Sequence, residues 1–104
     1  MGHHLKPLEE QVIVITGASS GIGLATAVLA AERGARLVLA ARSGETLDEL
    51  VQNISAAGGQ AIAVPADVTD RGQLEALAQA AVSRFGRIDT WINNAGIGMY
   101  GRLV

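Results

Sequence analysis

Apolar positions in this chain switch between short, nearly continuous runs and stretches where they recur every three to four residues. Gln11-Val-Ile-Val-Ile-Thr16 is β-branched and ends at a glycine, the pattern of a strand buried on both faces of a parallel sheet. An alanine-rich helix is predicted from Gly21 to Arg33, stopped by Gly34 in the C′ position. Arg36 to Ala41 reads as a second buried strand. Leu47, Leu50, Val51 and Ile54 then mark the stripe of an amphipathic helix. Thr46 with Glu49 suggests a capping box near its start, and Gly58-Gly59 an end. Ala61 to Val64 is a third strand, closed by Pro65. Asp70 with Gln73 caps the next helix, whose stripe is Leu74, Leu77, Ala78, Ala81 and Phe85, with Gly86 as its stop. Arg87 to Ile92 is a fourth strand running into Asn93-Asn94-Ala95-Gly96. Trp91 is expected in the core against the last helix, and Tyr100 in a loop.

The order β-α-β-α-β-α-β predicts an α/β fold with a doubly wound parallel sheet, right-handed crossovers and helices on both faces. The expected organisation is a lead over 1–10, a half-domain over 11–96 and a truncated tail over 97–104. At 104 residues and 10.7 kDa there is room for one small domain. With 49% hydrophobic and 17% charged residues, a disordered chain is excluded. The absence of cysteine excludes a disulfide frame and a thiolate metal site. His3 and His4 lie in the lead, leaving no histidine for catalysis further along, and no metal site is expected. The net charge of −2 is spread along the chain without a basic stripe, which argues against nucleic acid or an anionic membrane as partner. No apolar run is longer than that of Leu37 to Ala41, which falls far short of the ~18 residues of a membrane span. Met1 to Gln11 has no apolar signal region, and Lys6 stands where a myristoylation motif needs Ser or Thr. A cytoplasmic location is expected.

The candidate chemistry begins in the turn Thr16-Gly17-Ala18-Ser19-Ser20-Gly21-Ile22-Gly23. Gly17 lets the chain leave the strand sharply, where a Cβ would clash. Gly21 allows backbone to approach a bulky anion, and Gly23 allows the helix to pack closely on the sheet. The free N–H groups and dipole of the helix start attract a phosphate pair. Gly17, Ser19, Ser20, Gly21, Ile22 and Gly23 are thus expected around a pyrophosphate. The plain alternative is a tight turn with no ligand, but strand, turn and helix all sit where a dinucleotide fingerprint needs them.

The spacing T-G-x-x-x-G-x-G resembles the short-chain dehydrogenase/reductase family. Three further matches follow in order: Arg42 after the second strand, Asp67-Val68 at the end of the third, and the N-N-A-G signature Asn93-Asn94-Ala95-Gly96 after the fourth. Together they span Gln11 to Gly96. The resemblance implies the first half of a Rossmann-like fold with strand order 3-2-1-4. It also implies that Asp67 and Val68 flank an adenine, with Asn94, Ala95 and Gly96 along the cofactor ribose. A helix or loop cap is the plain alternative for Asp67, and a simple turn for Asn94 and Gly96.

Arg42 points to the cofactor. An NAD-selective site ends its second strand with an acid that holds both ribose hydroxyls. Ala41 occupies that place, and Arg42, with Ser43 nearby, offers a planar donor set suited to a 2′-phosphate. NADP(H) is therefore expected in preference to NAD(H), against the plain reading of a solvated arginine. Ser20 stands where some family members carry a second basic residue, which weakens that preference.

The family's chemistry uses a serine and a Tyr-x-x-x-Lys pair. This sequence has Tyr100 and Lys6 at opposite ends and no such pair, so no residue of it is assigned a catalytic role. The expected function is the NADP(H)-binding portion of an enzyme resembling these reductases, inactive as these residues alone. Hydride would pass between NADP(H) and an alcohol or carbonyl substrate in the full-length protein, expected to be a homo-oligomer. The alternative is a non-catalytic nucleotide-binding or assembly module acting with another chain.

Overall fold

Strands and helices alternate along the chain as β1 (Val12–Thr16), α1 (Gly21–Glu32), β2 (Arg36–Ala41), α2 (Gly44–Ala56), β3 (Gln60–Pro65), α3 (Arg71–Phe85) and β4 (Thr90–Asn93), after a short 3-10 turn over Leu8–Glu10. The computed structural model describes residues 7–19, 21–42 and 44–94. Ser20, Ser43, Ala95, Gly96, Tyr100 and the tail over 97–104 lie outside the described residues. All strand pairs are parallel and the sheet order is β3-β2-β1-β4, the Rossmann-like arrangement. Among the described residues no helix is long and apolar enough to cross a membrane.

The two central strands bury nearly every side chain because helices cover both faces. On one face Ile13, Ile15, Leu37 and Leu39 pack with Ala27 and Ala30 of α1 and with Leu47, Leu50 and Ile54 of α2. On the other, Val14, Val38 and Ala40 pack with Leu77 and Ala81 of α3. Alanine at the α1 contact lets that helix sit close to the sheet, so its larger residues Val28 and Leu29 face outward. Gly34 and Gly58, with φ of +93° and +94°, end α1 and α2 in the same way. In each, the glycine N–H and the next N–H turn back onto carbonyls of the last helical turn, Ala31 and Ala30 in α1, Ser55 and Ile54 in α2.

The structure corrects four local expectations. The fourth strand starts at Thr90, not Arg87, because Asp89 occupies the corner. Its N–H donates to Val12 O at 2.9 Å while its Oδ2 accepts from Val12 N–H at 2.8 Å, so a side chain replaces the first rung of the ladder. Arg87 pairs with the same carboxylate at 2.8 Å. Trp91, opposite Val14 on β4, is 36% exposed and is not among the residues packed with α3, so among the described residues it does not take the expected place against the last helix. Thr46 is inside α2 and caps nothing, because the helix already begins at Gly44, tucked against the Pro65 ring. Asp70 does cap α3, accepting from Gly72 and Gln73 N–H groups, but the Gln73 carbonyl turns elsewhere, to the Asp67 N–H.

Candidate functional site

The carboxyl ends of the parallel strands lie along one edge of the sheet. Ala18 N–H donates to Ala40 O, Ala66 N–H to Ala41 O, and Asn94 N–H to Thr16 O, tying the four strand ends into one rim. β1 has β2 on one side and β4 on the other, and the chain reverses its direction of travel across the sheet there. Open α/β sheets bind ligands at that switch point.

The glycine turn follows β1, between the ends of β2 and β4. Gly17 and Gly21 have φ of +66° and +47°, conformations other residues adopt only with strain. A Cβ on Gly21 would meet nothing within 4 Å, so the backbone there faces open space. A Cβ on Gly23 would lie 2.2 Å from Gly17 O. The first turn of α1 therefore lies directly on the backbone that leaves β1, with no room for a side chain at Gly23. Ser19 is half-buried and Ile22 exposed at the start of α1. The early N–H groups of such a helix have no intrahelical acceptor and can meet an anion at the helix start.

On the β4 side, Thr16 is completely buried and its Oγ1 donates to Asn93 Oδ1 at 2.5 Å. This bond links the first motif to the fourth strand. Asn94 Nδ2 is buried and, among the described residues, has no hydrogen-bond partner. A buried donor without an acceptor is costly unless a ligand or water satisfies it.

On the β3 side, Asp67 Oδ1 accepts from Thr69 N–H at 2.9 Å and from Thr69 Oγ1 at 2.6 Å. Arg42 Nη2 lies 3.5 Å from the same oxygen. The Asp67 N–H donates to Gln73 Oε1 at 2.7 Å. The Thr69 hydroxyl, and then the Thr69 N–H, hold the Asp67 carboxyl below the ordinary aspartate range; slight desolvation opposes them and the Arg42 charge adds to them. Val68 beside it is half-buried. Of the residues expected at the site, the structure thus gathers Gly17, Ser19, Gly21, Ile22, Gly23, Arg42, Asp67, Val68 and Asn94 on one rim. Thr16, Asn93, Thr69 and Gln73 were not among those expectations. The Asp-x-Thr spacing is a detectable turn signal for Thr69; Gln73 was read as a cap, and the Thr16–Asn93 bond spans 77 positions.

A groove of about 630 Å³ between α1 and α2, lined among others by Leu24, Val28, Leu50 and Ile54, opens at the opposite end of the strands. It holds none of the motif residues. Among the described residues no cluster of three or more His, Asp or Glu is placed to hold a metal.

The sequence signature described as short chain dehydrogenase matches residues 11–103. An uncharacterized oxidoreductase of Bacillus subtilis is 54% identical over 97 residues, which cover 93% of this chain and 27% of that protein. A 3-oxoacyl-(acyl-carrier-protein) reductase of Thermotoga maritima is 43% identical, with 86% and 37% covered. Among solved structures, a hydroxysteroid dehydrogenase from Escherichia coli superposes with a TM-score of 0.83 at 38% identity, covering 86% of this chain and 38% of that one. A family member from Burkholderia phymatum in complex with NAD gives 0.73 at 44% identity, covering 75% and 28%. The chain thus spans roughly a quarter to two fifths of the length of these relatives.

Proposed function

The chain belongs to the short-chain dehydrogenase family, and from that membership we propose that residues 11–96 form the NADP(H)-binding portion of an oxidoreductase acting on an alcohol or carbonyl substrate. The family comprises nicotinamide-dinucleotide oxidoreductases, and within it the end of β2 favours NADP(H) over NAD(H). The observation that carries it is the end of β2. Ala41 is buried where an NAD-selective site places its ribose-binding acid, and Arg42 follows with its side chain 74% exposed. An exposed guanidinium at that place can meet a 2′-phosphate with two parallel N–H donors.

The rest of the rim fits a dinucleotide. The bare backbone of Gly21 gives a bulky anion room, and the helix start supplies N–H donors to it. The unpartnered Asn94 Nδ2 supplies a donor on the β4 side, with Ala95 and Gly96 assigned beside it along the ribose. Asp67 and Val68 are assigned to the adenine, and Ser20 and Ser43 to the two phosphate regions. When bound, the cofactor supplies the hydride. The residues of this chain grip and orient its adenosine and pyrophosphate portions, while proton transfer falls to groups outside this sequence, which contains no Tyr-x-x-x-Lys. The substrate is a small molecule bound beyond these residues.

The test is calorimetry with 2′,5′-ADP and 5′-AMP. The 2′-phosphate should tighten binding, and Arg42→Ala should weaken 2′,5′-ADP selectively by about 1–2 kcal/mol, the scale of a partly exposed charge-assisted bond. Equal affinity for the two nucleotides in the wild type removes the reading.

A further inference from the structure

Arg42 and Asp67 were separate features of the sequence, assigned to the two ends of an adenosine. In the fold they meet. β2 and β3 pair in register up to Ala41 opposite Pro65, so the residues just past each strand end are neighbours. We propose that Asp67 is a specificity-determining residue: by pairing with Arg42 it competes with the cofactor's 2′-phosphate and limits how strongly that phosphate is preferred.

The contacts assign unequal roles to the two partners. Asp67 Oδ1 already accepts both Thr69 donors at 2.6 and 2.9 Å, and Arg42 joins them at the longer distance of 3.5 Å. The carboxylate is therefore fixed by its own turn, with or without the arginine. Arg42, 74% exposed against 39% for Asp67, is the movable member. A phosphate entering beside β2 takes the guanidinium from Asp67 and then lies near a fixed negative charge. Both effects act against the 2′-phosphate and neither acts on a nucleotide that lacks it. An exposed pair of this kind is worth about two- to five-fold in an equilibrium constant.

This inference rests on the NADP(H) reading of the site, and the experiment separates the two. Affinities of 2′,5′-ADP and 5′-AMP are measured calorimetrically on the full-length protein, for wild type, Asp67→Asn, Arg42→Ala and the double variant. Asn keeps an oxygen for the Thr69 donors and removes the charge. Taking the ratio of the two affinities cancels whatever Asp67 contributes to adenine binding. The ratio should rise about two- to five-fold in Asp67→Asn, and by less than half of that in the Arg42→Ala background. Asp67→Ser, also uncharged and able to accept from Thr69, should give the same rise. A preference that Asp67→Asn leaves unchanged or lowers overturns the inference alone. An equal rise with and without Arg42 also overturns it, by showing simple repulsion without competition. A ratio near one in the wild type removes the inference together with the reading beneath it.

Discussion

The glycine turn after β1 and the strand ends at β2 and β3 lie along one edge of the sheet, yet they are made of different material. The turn is backbone: Gly17, Gly21 and Gly23 act through conformations and spaces that other residues do not allow. The β2–β3 side is side chain: a fixed carboxylate, an exposed arginine and a hydroxyl. A backbone site tolerates almost no substitution and suits the part of a ligand that never varies. A side-chain site changes by single exposed residues at little cost to the fold, and suits the part that distinguishes one ligand from another. If that division is right, substitutions on the two sides should differ in kind: stability on one, selectivity on the other.

The sharpest way to break the comparison is Gly23→Ala. Its Cβ would sit 2.2 Å from Gly17 O, a backbone atom that cannot swing aside. The turn must open, and the expected loss is about 3 kcal/mol of unfolding free energy, at the upper end of overpacking costs. Gly21→Ala is the control. It meets no atom within 4 Å but keeps a φ of +47°, so the strain of a left-handed non-glycine, about 1 kcal/mol, is all it should cost. Denaturant unfolding of both variants checks the ranking. A Gly23→Ala protein as stable as Gly21→Ala would show that the turn is plastic.

Thr16→Val probes the link between the turn and β4. Valine keeps the buried volume and loses the hydroxyl that donates to Asn93 Oδ1. Asn93 is exposed, so water can replace the lost donor, and the expected destabilisation is about 1 kcal/mol. Binding of 2′,5′-ADP and 5′-AMP should weaken equally, because the change lies on the backbone side. A selective loss of one nucleotide would mean that the two sides are coupled.

The parallel sheet, the helices and the glycine turn were legible because each rests on local chemistry: β-branched runs, apolar stripes, and glycines at helix ends. Arg42 and Asp67 were legible as types and places. Their meeting was not, since it depends on the register of β2 against β3. Two of the local misreadings share a cause. Trp91 looks like core by type, and Arg87 to Asp89 look like strand by continuity. Both depend on what covers β4 and on Asp89 taking over a ladder position, which are tertiary facts. Gln73 fitted a cap by spacing, but its side-chain carbonyl accepts from the Asp67 N–H, a choice between two N–H donors that spacing alone leaves open.

The smallest effect sharpens the comparison most finely, because it asks what holds the carboxylate on the side-chain border. The Thr69 hydroxyl is the leading cause of the lowered Asp67 pKa, ahead of the Thr69 N–H and of Arg42. Thr69→Val removes the hydroxyl and leaves the N–H, so the Asp67 titration midpoint should rise, and by more than in Arg42→Ala. The direction for stability follows from linkage. A carboxyl whose pKa is lower in the folded state stabilises above its unfolded pKa of about 4, and that contribution fades as pH falls through the folded value. Wild type should therefore lose stability on acidification in this window, and Thr69→Val should lose less, having less to give up. Carboxyl-detected NMR titration reads the midpoint directly, and denaturant unfolding across the same pH range reads the slope. A larger rise in Arg42→Ala than in Thr69→Val would reverse the assignment, making the arginine the anchor and the carboxylate the dependent partner.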